Sequence, residues 1–302
     1  MQTKISLIKN IVRALRLPFL SASLLPFVFG SLIERHSFNV RGFILGLSAA
    51  VATHLSANLI NDYADSKSGA DWQDSRFYGL FGGSKLIQEK VFSEKFYLRL
   101  AVFFAVFSAI SVILLAFALN TLSVVGWYLV IIFLSWSYSF GPLRFSYRRW
   151  GEVFIFLLFG PCLVMGGYFI QTGIFPDAKS FILSLPLGLL TTAILFSNEV
   201  PDFADDRKAG KHTWVSFTGT HAAYRLYFLL VFLAFGAIAT SVFLGFLKAV
   251  ALLSFVFLIL AFKAMKTLKV FHAQKDKLLE SSRLTIALQT MVGIVLIGSV
   301  LL

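Results

Sequence analysis

FILGLSAAVATHLSANLINDYADSKSGAD, residues 43–71, begins as an uncharged apolar run and ends on four carboxylate or amide side chains, Asn61, Asp62, Asp65 and Asp71. The run is about as long as a helix needs to cross a hydrocarbon core. The same pattern extends through the chain. Of its 302 residues 58% are hydrophobic and 14% charged, and nearly all of it divides into apolar stretches of membrane-crossing length. These stretches are apolar all round, whereas helices of a soluble core carry one apolar face. The chain therefore reads as an all-α polytopic membrane bundle. Nine spans are predicted, near 17–34, 42–61, 96–118, 122–141, 152–171, 180–198, 224–244, 247–263 and 284–302. No change of composition marks a second domain, so residues 1–302 read as one transmembrane domain.

The formal net charge of +12 raises nucleic acid as a partner, but the placement of the charge speaks against it. With the N-terminus inside, 23 of the 27 Lys and Arg fall on the cytoplasmic side, leaving Arg35, Arg41, Lys179 and Lys248 outside. That asymmetry is the positive-inside rule, and it predicts a multi-pass protein of the cell (inner) membrane with a cytoplasmic N-terminus. The basic surplus suits anionic lipid, and no nucleic-acid motif is present. Residues 17–34 follow a basic stretch (Lys4, Lys9, Arg13, Arg16) but no small-residue cleavage site follows them, so they read as a retained helix. The lone Cys162 lies in an apolar run and reads as packing. Nothing in the sequence sets the oligomeric state.

The carboxylates are not spread evenly. Eight of the 15 Asp and Glu sit in two stretches: Asp62, Asp65, Asp71 and Asp74, then Glu199, Asp202, Asp205 and Asp206. Both lie at cytoplasmic ends, after the second and sixth spans, in the long loops 62–95 and 199–223. If the helices continue a little further, Asp62 and Asp65 share a face at i,i+3 and Asp202 and Asp206 share one at i,i+4. Like charges so close call for a cation between them. Oxygen-only ligands suit Mg²⁺, Mn²⁺ or Ca²⁺, and no Cys/His cluster offers a zinc or copper site. Mg²⁺ takes few protein carboxylates and completes its shell with water and phosphate, so two facing clusters would hold two or three ions that clamp a diphosphate. Basic residues follow each cluster: Lys67, Arg76 and Lys85, then Arg207, Lys208 and Lys211. Topology alone places basic residues in such loops; together they would also neutralise a leaving diphosphate. In FGGSKLIQ, 81–88, paired glycines before Lys85 permit close backbone approach to phosphate.

These segments, with YSFGPLRFSYRRWGEVFIFLLFGPCLVMGGYFIQTG (138–173), NEVPDFADDRKAGKHT (198–213) and LPFLSASLLPFVFGS (17–31), resemble the UbiA superfamily of intramembrane prenyltransferases. They are most similar to the branch that prenylates 1,4-dihydroxy-2-naphthoate in menaquinone synthesis. The likeness runs from about residue 16 to 220; beyond that only the helical pattern is shared. It implies nine helices around a cavity open to lipid, Mg²⁺ held by Asp62, Asp65, Asp71, Asp202 and Asp206, and a polyprenyl diphosphate donor. The matching motif positions are Asn61, Asp62, Asp65 and Asp71, then Asn198, Asp202 and Asp206, followed by Lys211. Pro201, Trp214, Arg144 and the extra Asp205 depart from the pattern of that branch and bear on the identity of the acceptor.

His54, about two turns before Asn61, and Tyr138 and Tyr147 are candidates for an aromatic acceptor pocket. A helix contact for His54 and an interfacial Tyr belt are the plainer readings. The chemistry expected is electrophilic prenylation, with the diphosphate charge withdrawn and water excluded. Other acceptors, such as 4-hydroxybenzoate, a tetrapyrrole or a glycerol phosphate lipid, are the alternative. A cation-coupled transporter is less favoured, because transporters bind ions near the midplane on broken helices.

Overall fold

The computed structural model describes residues 4–34 and 38–302, with side chains from Ser6 onward. Arg35, counted above to the outer side, and the side chain of Lys4 lie outside the described residues. The helices are α1 Lys4–Ala14, α2 Ser21–Leu32, α3 Val40–Ser68, α4 Glu94–Leu119, α5 Ser123–Ser137, α6 Gly151–Leu157 and α7 Leu163–Thr172. They continue with α8 Ala178–Lys208, α9 Val215–Thr218, α10 Ala223–Phe243, α11 Leu258–Phe271 and α12 Leu279–Leu301. Among the described residues there is no strand, only an isolated bridge between Arg148 and His212.

Seven of the nine expected spans are long and apolar enough to cross a membrane. The other two differ, each for a local reason. The first is a bent pair, Ser6–Ala14 and Leu17–Leu32, at 43°. Arg16 sits at the break with φ 52, and Pro18 opens the next turn, where its missing N–H costs nothing. The fourth, α5, has 15 residues, about 22 Å of helix, short of the ~30 Å core. The chain turns after it, through Gly141 at φ 77 and Pro142. Within the fifth span α6 joins α7 through a π turn, Leu158–Cys162, which accommodates Pro161 inside an otherwise continuous helix.

Both helices that carry a motif overshoot their expected ends. α3 runs on to Ser68 and stops at Gly69, whose φ of 87 closes it. α8 runs on to Lys208, ahead of Gly210 at φ 73. The first seven residues of the 62–95 segment and the first ten of 199–223 are therefore helical rather than loop. Each motif rides on a rigid extension of a span.

α8 is the central element: 72% of its apolar window is buried. It packs on α10, α12 and the π turn, while α2 packs on α7 and α12, and α3 on α4. Small residues let backbones approach, the usual device where helices meet without a hydrophobic driving force. A Cβ on Gly30 would lie 2.0 Å from the Val164 carbonyl oxygen, and one on Gly160 2.8 Å from the Gly188 Cα. Hydroxyls tie α3 to α4, with Ser56 donating to the Ala101 carbonyl at 2.8 Å and Thr53 2.7 Å from Ser108. Gly30→Ala is expected to lower the melting temperature in detergent by several degrees, since overpacking costs about 1–3 kcal/mol. Gly126→Ala, with nothing within 4 Å of the new methyl group, should leave it unchanged or raise it.

Candidate active site

The two overshooting helices bring their acidic faces together at one end of the bundle. Asp62, Asp65, Asp71 and Asp206 are buried, and Asp202 is partly so. The loop between α3 and α4 folds back between them. Gly82 donates its N–H to Asp202 Oδ2 at 2.8 Å, and Ser84 donates its own to Asp62 Oδ2 at 3.2 Å. The glycine pair that the sequence suggests as a phosphate cradle thus has its backbone set against both motifs. Gly82 and Gly83 have φ of 72 and 75, and a Cβ on Gly83 would stand 2.6 Å from Asp71 Oδ2. Only glycine fits at 83.

Every one of these carboxylates meets a resident cation. Lys85, 3% exposed, lies 3.1 Å from Asp71 Oδ1 and donates to the Asp71 carbonyl at 2.7 Å. Lys211 lies 3.4 Å from Asp206 Oδ1 and 3.9 Å from Asp65 Oδ2. Burial works against the Lys211 ammonium, but Asp206 and Asp65 hold its pKa well above the ordinary lysine value. Arg16, at the α1–α2 break, reaches Asp62 Oδ1 at 3.6 Å and donates to Asn61 Oδ1 at 3.5 Å. Lys275, just before α12, sits among Asp74, Asp202 and Asp205 at 3.5, 3.4 and 2.7 Å. Asn61 in turn donates to Asp65 Oδ2 at 3.4 Å and to Ser139. Burial, with Asp65 nearby, nonetheless pushes the Asp71 carboxyl up to about 8.

Among the described residues no three His, Cys, Asp or Glu converge closely enough to hold a metal ion on their own. The donors still fit a hard cation that brings its own oxygens. Asp62 Oδ1, Asp202 Oδ1, Asp206 Oδ2, Asn198 Oδ1 and Glu199 Oε2 are buried without a hydrogen-bond partner. All but Asp62 belong to residues that line one polar cavity of about 100 Å³. That cavity shares Arg16, Asn61, Tyr138, Leu195 and Asn198 with a larger, mainly apolar one of about 400 Å³ between α2, α3, α5, the π turn and α8.

The remaining expected residues divide. His54 lines the apolar cavity, 2.7 Å from Ser23 Oγ and edge-on to Phe159. Tyr138 lines both cavities. Tyr147 corrects its expectation: it lines neither cavity, and its hydroxyl donates to Asp65 Oδ1 at 2.8 Å with Ser68 Oγ at 2.6 Å. Burial and Asp65 both raise its pKa. Four of the six basic residues are likewise corrected, because they point away from the polar cavity. Lys67 pairs with Glu94 and is 56% exposed; Arg76 pairs with Asp74 and Asp276 and is 64% exposed. Lys208 pairs loosely with Asp205, and Arg207 is exposed. On α8 they follow Asp206 by one and two positions, 100° and 200° round the helix. Arg16 and Lys275 were not singled out from the sequence. The first was counted as a topology charge, and the second lies in the third of the chain that carries no motif.

Residues 23–288 match the UbiA prenyltransferase family. The chain is 33% identical over 234 residues to the UbiA prenyltransferase domain-containing protein 1 of Rattus norvegicus, covering 74% of this chain and 65% of that protein. It is 29% identical over 210 residues to the 1,4-dihydroxy-2-naphthoate octaprenyltransferase of Bacillus subtilis (strain 168), covering 68% and 65%. The chain thus spans just under two thirds of the length of these curated relatives. Its fold matches the apo structure of a UbiA homolog from Aeropyrum pernix K1 with a TM-score of 0.73, at 16% identity over 92% of this chain and 97% of that one. A UbiA homolog from Archaeoglobus fulgidus bound to DMAPP and Mg²⁺ matches with a TM-score of 0.58, at 16% identity over 96% and 99%.

The network has a measurable consequence. Tyr147→Phe removes a buried hydrogen bond to a carboxylate, worth about 1.5–3 kcal/mol, and is expected to lower the melting temperature by several degrees. Lys67→Ala breaks a solvent-exposed pair with Glu94 and should barely move it.

Proposed function

The chain belongs to the UbiA prenyltransferase family, and from that premise we propose that it transfers a polyprenyl group from polyprenyl diphosphate to 1,4-dihydroxy-2-naphthoate. The reaction would be Mg²⁺-dependent and serve menaquinone biosynthesis. One observation carries the reading: a polar chamber walled by carboxylates and lysines adjoins, at Asn61, Tyr138 and Asn198, an apolar chamber. A molecule with a charged head and a long apolar tail fits that pair of spaces. The Bacillus subtilis relative supports the naphthoate acceptor, and the Archaeoglobus fulgidus structure with DMAPP and Mg²⁺ supports the metal and the donor class.

In this reading Asp62, Asp65, Asp71, Asp202 and Asp206 would hold the metal, with Asn61 and Asn198 as neutral oxygen donors beside them. Bound there, Mg²⁺ would withdraw charge from the diphosphate as it leaves. Lys85 and Lys211 present ammonium groups to the same diphosphate, and Arg16 adds a guanidinium at the junction of the two chambers. As the allylic C–O bond breaks, its electron pair goes to the diphosphate, and an electron-rich ring carbon of the acceptor forms the new C–C bond. A naphthoate acceptor then gives up its carboxylate as CO₂, which restores the aromatic ring. The apolar walls keep water from the allylic cation, which would otherwise become an alcohol. His54 and Tyr138 are the polar groups placed to orient an aromatic acceptor in the larger chamber. The protein would lie in the cell membrane with the motif end cytoplasmic.

The test is turnover of a labelled polyprenyl diphosphate by purified protein against a panel of aromatic acceptors. Activity with naphthoate should require Mg²⁺ or Mn²⁺ and vanish on exhaustive chelation. Asp65→Ala and Asp202→Ala should each lose at least about a hundredfold in kcat. Near-normal rates in both variants would place the site elsewhere. His54→Ala and Tyr138→Phe are expected to reorder the acceptors while leaving the KM for donor nearly unchanged; an unaltered ranking in both would remove the acceptor from this chamber. Orientation is checked with Cys162 replaced and single cysteines placed in the connections. Those at 73–80 and 209–214 should react with a membrane-impermeant thiol reagent only from the cytoplasmic side.

A further inference from the structure

Three lysines stand among the motif carboxylates, and Lys275 differs from Lys85 and Lys211 in origin and partners. It comes from the connection between α11 and α12, far in sequence from either motif. Its ammonium lies 2.7 Å from Asp205 Oδ2, 3.4 Å from Asp202 Oδ1 and 3.5 Å from Asp74 Oδ2. It therefore meets oxygens from α8 and from the loop after α3 at one point, as a bound cation would. Its partner Asp202 Oδ1 is buried without a hydrogen bond, so the contact there is charge alone. The setting of Lys85 and Lys275 also differs. Both line the polar cavity, but the Lys85 side chain is 4% exposed against the Asp71 carbonyl and carboxylate, whereas that of Lys275 is 18% exposed among three carboxylates and beside the Tyr78 ring. The flexible four-carbon stem of lysine allows an ammonium to exchange one oxygen for another across such a chamber.

We propose that Lys275 is a removable counter-cation. It neutralises Asp74, Asp202 and Asp205 while the chamber is unloaded, and it competes with divalent metal for Asp202. When metal and donor enter together, its ammonium leaves these carboxylates and pairs with the diphosphate. The inference rests on the metal-and-diphosphate reading of the site given above. It deepens that reading by making uptake coupled. Metal alone must displace an ammonium that then has no anion, whereas metal with diphosphate gives the displaced ammonium a new partner.

The experiment is equilibrium dialysis of radioactive Mn²⁺ at matched free metal, with and without inorganic pyrophosphate. It uses the full chain in nanodiscs as wild type, Lys275→Met and Lys275→Arg. Wild type should hold Mn²⁺ about tenfold more tightly, or better, with pyrophosphate present. Lys275→Met should bind Mn²⁺ alone about tenfold more tightly than wild type and lose most of the pyrophosphate enhancement. Lys275→Arg, which keeps the charge, should behave as wild type does. Lys275→Gln is the second neutral variant if the methionine one fails to fold. Unchanged or weaker binding of Mn²⁺ alone by the neutral variant overturns this proposal and leaves the clamp standing. So does a wild type that pyrophosphate does not strengthen. No uptake by wild type under either condition overturns the clamp and this proposal with it.

Discussion

Carboxylates drawn into one buried space repel each other, and the arrangement of this protein's motif end follows from how that repulsion is met. Asp62, Asp65, Asp202 and Asp206 approach from α3 and α8 and Asp71 from the turn after α3, and each faces a lysine or an arginine. Removing such charges from water is costly unless partners are supplied, and here the partners come from four separate parts of the chain. Arg16 arrives from a helix break, Lys85 from the glycine loop, Lys211 from the turn after α8, and Lys275 from the entry to α12. The fold at this end is in effect the set of connections that delivers those four cations. The buried carboxylate oxygens left without a hydrogen bond show that the compensation is incomplete, which is the condition in which a further cation is welcome.

The other half of the design is the closeness of the helices. Glycine contacts at Gly30, Gly160, Gly167 and Gly188 bring α2, α7, the π turn and α8 near enough for backbone atoms to touch. A close frame on that side leaves the space between α3, α5 and α8 as the apolar chamber. The overshoot of α3 and α8 then carries the acidic residues past the apolar stretch on rigid supports. Charge and greasy volume are thereby stacked end to end, with Asn61, Tyr138 and Asn198 at the boundary. An apolar space directly beside a concentration of paired charge suits a ligand with a charged head and an apolar tail.

Most of the motif positions were legible in the sequence, because charged residues at the end of an apolar run stand out against it. Asn61, Asp65, Asp71, Asn198, Asp202 and Asp206 line one polar cavity, and Asp62 lies beside it, accepting from the Ser84 N–H. The basic residues were read less well. Lys67, Arg76, Arg207 and Lys208 neighbour the motifs along the chain but turn outward. Proximity in sequence is not direction around a helix: one step on α8 turns a side chain by 100°, so Arg207 leaves the face that Asp206 occupies. Tyr147 reads as an acceptor contact because it belongs to the block of sequence that resembles the family, whereas its hydroxyl serves Asp65, a contact between residues 82 apart.

The sequence by itself determined that this is a polytopic helical protein and that two acidic motifs share one end. Hydropathy and helical period are local properties, read over windows of some twenty residues. Only the tertiary structure decided which cations face those acids. Arg16 and Lys275 carry no local signature that separates them from the basic residues any such membrane protein keeps at its cytoplasmic ends. Their partners are fixed by a helix break and a long-range return of the chain, at 46 residues from Arg16 to Asp62 and 73 from Lys275 to Asp202. Pairings at that range depend on packing of the whole bundle, which no window of sequence contains.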